Sequence, residues 1–126
     1  MILLTVDEIT KLHTKLITKT GGSDGLRDAG LLESAVYSAK SSFGDQELYP
    51  TMVEKAARLM YALVSNHAFI DGNKRIGVFV MLTTLRLNSI HLHYTQSELI
   101  QLGLSTASGT MKYDDILSWI QNHKQS

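Results

Sequence analysis

The chain has 126 residues, 44% of them hydrophobic and 19% charged, with one proline, nine glycines and no cysteine. A chain of this size fits one domain over 1–126 with a working core. Its composition excludes long disordered or low-complexity tracts, and the missing cysteines exclude disulfides and thiolate metal sites. Twelve basic residues balance twelve acidic ones for a net charge of zero, so no global field draws the chain to nucleic acid or to an acidic membrane, and any anion site has to be local.

Met1 to Leu4 is apolar but runs straight into polar residues with no preceding basic stretch. That is too short for a signal peptide or a membrane span, so a cytoplasmic protein is expected. Thr5-Val-Asp-Glu8 is a capping box, and Val6, Ile9, Leu12 and Leu16 keep helical spacing until Gly21-Gly22, which predicts a helix over about 5–20. Leu31, Leu32, Ala35 and Val36 mark a second, shorter helix ending near Lys40, with Asp28 placed to cap it. Residues 41–50 read as a loop with brief extended structure around Leu48-Tyr49. Thr51-Met-Val-Glu54 is a second capping box, opening a strongly amphipathic helix that ends at His67.

After a turn over 68–72, Asn73 begins a helix that is apolar nearly all round, from Ile76 through Leu85, and a central buried place is expected for it. Asn88-Ser89 ends it, and Ile90 to Tyr94 alternates as a short strand or extended connector. Thr95-Gln-Ser-Glu98 is a third capping box leading a helix toward Gly109, and Tyr113 to His123 forms the last. The expected fold is all-α, a bundle of about six helices.

The residues with most chemistry lie at 67–78, His-Ala-Phe-Ile-Asp-Gly-Asn-Lys-Arg-Ile-Gly-Val. A helix start offers unpaired N–H groups and partial positive charge, Gly72 lets the chain bend around an anion, and Lys74 and Arg75 add full charges there. Asp71 can hold a divalent cation on a bound phosphate or serve only as a cap, and Asn73 carries the same two readings. His67 is free to take a proton from a hydroxyl near neutral pH. Phe69 reads as a core anchor between two helices. Lys74-Arg75 also has the plain reading of a solvated basic pair. His91 and His93 alternate, but no zinc-binding pattern frames them, and surface histidines are the better account. Arg27-Asp28 reads as a cap plus a local ion pair, outside the site.

This stretch resembles the signature of the Fic/Doc proteins, His-x-Phe-x-(Asp/Glu)-Gly-Asn-Gly-Arg-x-x-Arg. His67, Phe69, Asp71, Gly72, Asn73 and Arg75 fall on it, Lys74 replaces a glycine and Val78 replaces the last arginine. Asn-Lys-Arg is similar to the death-on-curing branch, as are Gly-Leu-Arg-Asp at 25–28, Gly-Leu-Leu-Glu-Ser-Ala at 30–35, Leu-Tyr-Pro at 48–50 and Leu-Arg-Leu-Asn at 85–88.

The resemblance implies the Fic/Doc helical fold and an ATP-dependent transferase. His67 would be the catalytic base, Gly72, Asn73, Lys74 and Arg75 the phosphate site, and Asp71 the Mg2+ ligand. The implied reaction moves the terminal phosphate of ATP to a Ser/Thr hydroxyl of a translation protein, elongation factor Tu in the resembled branch. The alternatives are transfer of AMP, as in the Fic branch, and a binding module that has lost its chemistry. Some relatives carry a self-inhibitory Ser/Thr-x-x-x-Glu-Gly/Asn helix. The residues four before Glu8, Glu33, Glu47, Glu54 and Glu98 are Leu4, Ala29, Phe43, Pro50 and Tyr94, so a separate antitoxin protein is the expected control.

Overall fold

A computed structural model describes residues 2–125, with Met1 and Ser126 outside the described range. Six helices and one hairpin make up the described fold: α1 (Val6–Thr20), α2 (Ala29–Ser38), β1 (Ser42–Phe43), β2 (Gln46–Glu47), α3 (Met52–Asn66), α4 (Asn73–Leu87), α5 (Gln96–Ala107) and α6 (Tyr113–His123). The protein is all-α apart from that hairpin. All three expected capping boxes close: the hydroxyls of Thr5, Thr51 and Thr95 accept from the N–H groups of Glu8, Glu54 and Glu98, whose carboxylates return to the cap residues' own N–H groups. Asp28 caps α2, accepting from Leu31 N at 3.1 Å. The helix therefore starts at Ala29, two residues before its first apolar pair.

α3 and α4 form the central pair, and the apolar core lies on both sides of it. One cluster joins them to α1 and α2 through Ile9, Leu32, Leu63, Phe69, Ile76 and Val80, and the other joins them to α5 and α6 through Met60, Val64, Met81, Leu102, Ile116 and Ile120. Burial of this kind is the main favourable contribution to folding. Because the turn between α3 and α4 is rooted in both helices of the central pair, it is held by the best-packed part of the molecule.

One expectation is corrected. Extended structure lies at 42–47 rather than around Leu48-Tyr49, as an antiparallel hairpin pairing Ser42 with Glu47 and Phe43 with Gln46. Gly44, at φ 62, opens its two-residue turn. Lys55 of α3 is buried and reaches Glu47 Oε1 at 2.9 Å, tying the hairpin to the bundle. The 90–94 stretch makes a single bridge, Leu92 with Lys124, and both His91 and His93 are exposed.

A His123–Glu98 pair links α6 to α5. His123 Nδ1 lies 2.7 Å from the Trp119 carbonyl and Nε2 lies 2.7 Å from Glu98 Oε2. Both partners accept, so the ring is satisfied on both sides only as imidazolium. Burial pushes the His123 pKa down, but the hydrogen bonds to Glu98 and the Trp119 carbonyl, with the Glu98 charge, outweigh it and the net direction is up. The Glu98 carboxyl is held below the usual range by His123 first and then by Thr95.

A raised histidine contributes fully below its unfolded pKa and loses that contribution as pH rises through the folded value. A lowered carboxylate contributes above its unfolded pKa and loses it as pH falls through the folded one. The clasp is therefore strongest in the weakly acid range between them. The melting-temperature advantage of the natural protein over His123→Gln is expected to shrink as pH rises from about 6 to about 9; a gap that stays flat would contradict the pairing.

Candidate active site

The turn from His67 to Gly72 joins the end of α3 to the start of α4. His67 is the last cap of α3, in the left-handed conformation at φ 53 and ψ 49, with its side chain exposed. A β-carbon disfavours that conformation, so the surroundings have to hold it. Its ring has no hydrogen-bond partner among the described residues. Phe69 is 1% exposed and anchors the turn in the core, as expected. The Asn73 amide closes the turn: Phe69 N–H donates to Oδ1 at 3.0 Å and Nδ2 donates to the Phe69 carbonyl at 3.0 Å. With both ends of that side chain in use, what Asn73 offers an anion is its backbone N–H.

α4 begins with Gly72 as its cap, at φ 77, and no side chain caps the helix. The N–H groups of Asn73, Lys74 and Arg75 have no acceptor among the described residues, which leaves an open nest of donors at the positive end of the helix dipole. Lys74 is exposed and makes no ion pair among the described residues. Arg75 is engaged: Nη1 donates to Thr20 Oγ1 at 2.5 Å and to the Gly21 carbonyl at 2.8 Å, while Nη2 lies 3.8 Å from Asp71 Oδ1.

Asp71 does not cap α4. Its carboxylate accepts from Ser23 N–H at 3.1 Å and Gly72 N–H at 2.8 Å. These two amides, Ser23 first, outweigh the effect of burial and with Arg75 hold its pKa below the ordinary carboxylate value. Gly22 makes this geometry possible. Its φ is +116, and a β-carbon there would lie 2.5 Å from Asp71 Oδ2, so both conformation and space call for glycine.

Among the described residues no three His, Asp or Glu side chains converge as a metal cage. An ionised, half-exposed carboxylate beside a phosphate nest nonetheless suits Mg2+, which binds through one or two carboxylates plus phosphate oxygens and retained waters. The donor set fits the cation on that basis.

Two supporting residues have no signal in the motif. His13 of α1 is 1% exposed, stacks on Phe69 at 3.9 Å, and places Nε2 2.7 Å from the Asp71 carbonyl. The carbonyl can only accept, so Nε2 carries the proton. Arg27 was expected to pair with Asp28. It instead donates from Nε to the His67 carbonyl at 2.7 Å and from Nη2 to the Asn66 carbonyl at 3.2 Å.

Val78, in place of the signature's last arginine, is 9% exposed and lines an apolar groove between α1, α4 and α5. The groove holds about 370 Å³, with Leu16, Phe79, Leu82, Leu99 and Ile100 in its walls and Lys74 and Arg75 on its edge.

An all-α bundle that sets a left-handed histidine at the end of one central helix and an uncapped Gly-Asn-Lys-Arg start on the next matches, in fold and motif, the proteins the sequence resembles. Residues 3–85 match the Fic/DOC family, and the chain belongs to it. It is 39% identical over 72 residues to "Toxin Doc" of Mycolicibacterium smegmatis, covering 57% of this chain and 55% of that protein. It is 26% identical over 110 residues to "Protein kinase doc" of Escherichia phage P1, covering 87% of this chain and 86% of that one. The chain thus aligns with little more than half the length of the first relative and most of the second.

Proposed function

We propose that this chain is a Doc-type protein kinase toxin, one cytoplasmic domain that transfers the terminal phosphate of ATP to a Ser or Thr hydroxyl of a translation protein, elongation factor Tu being the expected target. The observation that carries the reading is the uncapped α4 start with an exposed Lys74 that has no ion-pair partner among the described residues, one short turn from an exposed histidine. His67 takes the proton of the incoming hydroxyl as its oxygen attacks the γ-phosphorus. The bond from that phosphorus to the bridging oxygen breaks, and ADP leaves. The N–H groups of Asn73, Lys74 and Arg75, with the Lys74 ammonium, offset charge on the transferring group. Asp71 would hold Mg2+, which when bound neutralises phosphate charge and orients the oxygens. Arg75 would add its charge from beside Asp71, with Nη1 held by the end of α1 and Nη2 3.8 Å from the Asp71 carboxylate.

Two departures from the AMP-transferring signature favour the γ-phosphate. Lys74 places bulk and a mobile charge where glycine would let the backbone curl most closely around phosphate, and Val78 removes a second cationic contact. For control, the apolar groove beside Lys74 suits a helix or extended segment of a separate antitoxin.

The test is incubation of the purified protein with a cell lysate, Mg2+ and γ-labelled ATP. One labelled protein is expected, with labelling lost on chelation and shifted to higher Mg2+ in Asp71→Ala. A lysate left unlabelled by the natural protein and by its His67→Ala variant alike would favour the binding-module reading.

A further inference from the structure

We infer that Arg27 is a positioning residue for His67, its guanidinium fixing the backbone of the base in the conformation that presents the imidazole. This rests on the phosphoryl-transfer reading above. A helix that ends in a left-handed residue usually places glycine there, because a β-carbon crowds the backbone. α3 places His67 there instead, at φ 53. The last carbonyls of a helix also need donors from outside it.

Arg27 supplies both requirements. Its Nε–H and Nη2–H span the His67 and Asn66 carbonyls at 2.7 and 3.2 Å. Its own backbone N–H donates to the Ala68 carbonyl at 2.8 Å, and Leu26 bridges Phe69. One residue thus holds three successive carbonyls, those of Asn66 and His67 through its side chain and that of Ala68 through its main chain. The guanidinium also places a full positive charge at the negative end of the α3 dipole. The neighbouring Asp28 caps the start of α2 and its N–H shares the Ala68 carbonyl at 3.0 Å, so the Arg27-Asp28 pair secures two helix ends, and only the arginine side chain reaches the His67 carbonyl. Lysine keeps the charge but offers no rigid fork to two carbonyls.

An exposed arginine near a phosphate site has substrate binding as its competing role, and the experiment separates the two. Transfer kinetics are measured for the natural protein, Arg27→Lys, Arg27→Gln, His67→Ala and the Arg27→Gln/His67→Ala double variant. The His67 backbone is followed by NMR of histidine-labelled protein. Arg27→Gln is expected to lower kcat about 10- to 100-fold with KM for ATP within about twofold, and Arg27→Lys to fall between. In the His67→Ala background the same change is expected to cost nothing further within about twofold, because a residue acting through His67 has nothing left to position. The His67 backbone shifts are expected to leave the left-handed range in Arg27→Gln.

A raised KM with intact kcat would make Arg27 a substrate contact. An equal loss in both backgrounds would make its role independent of the histidine. Left-handed His67 shifts persisting in both Arg27 variants would remove the mechanism. If the natural protein transfers nothing, the phosphoryl-transfer reading fails, and the backbone shifts alone decide whether Arg27 holds His67.

Discussion

His67→Ala is expected to lower the phosphate-transfer rate by about 10²–10⁴, the usual contribution of a positioned general base and about 3–5 kcal/mol of transition-state stabilisation. Folding is expected to change little, because the imidazole is exposed and its ring has no partner among the described residues. Removing it also leaves alanine in a left-handed position, a cost that glycine would not carry. His67→Gly therefore serves as the companion variant. The two are expected to be equally inactive, with the glycine form at least as stable. A folded His67→Ala protein that transfers at the natural rate would remove His67 from the mechanism.

His13→Ala is expected to destabilise the fold markedly. The ring is buried, stacks on Phe69 and donates to the Asp71 carbonyl. Its loss leaves a cavity beneath the turn and an unsatisfied carbonyl. Together these cost about 2–4 kcal/mol, or roughly a 10 °C fall in Tm for a chain of this size. His13→Gln, which keeps a donor of similar reach, is expected to recover part of the loss. Denaturant unfolding of the two variants measures this. A destabilisation under about 1 kcal/mol in His13→Ala would mean the turn does not rest on that ring.

What the sequence made legible is local. Three Thr-x-x-Glu boxes announced three helix starts because cap and partner lie three residues apart, and Asp28 announced a fourth by the same short reach. The signature spacing put His67, Asp71 and Gly72 at a helix junction, and the structure has that junction between α3 and α4. The 42–47 hairpin lay hidden in a stretch that reads as a loop, although Gly44-Asp45 is a two-residue turn signal, because strands of two residues are too short to show alternation.

The supports of the site were hidden for another reason. His13 meets the Asp71 carbonyl across 58 residues and Arg27 meets the His67 carbonyl across 40. Both contacts go to backbone oxygens, which carry no side-chain signature. Gly22 was visible as a helix stop, but its second role against the Asp71 carboxylate needs the fold. Asn73 shows the reverse. Motif position suggested phosphate, while its amide is spent on the Phe69 peptide.

Parallel reactions with α-labelled and γ-labelled ATP on the same target test the central claim most directly. The account predicts label from the γ-position only, a target mass raised by one phosphoryl group, and ADP as product. Label arriving from the α-position, or a mass raised by one AMP, would contradict the role given to Lys74 and Val78 and assign the chain to AMP transfer instead.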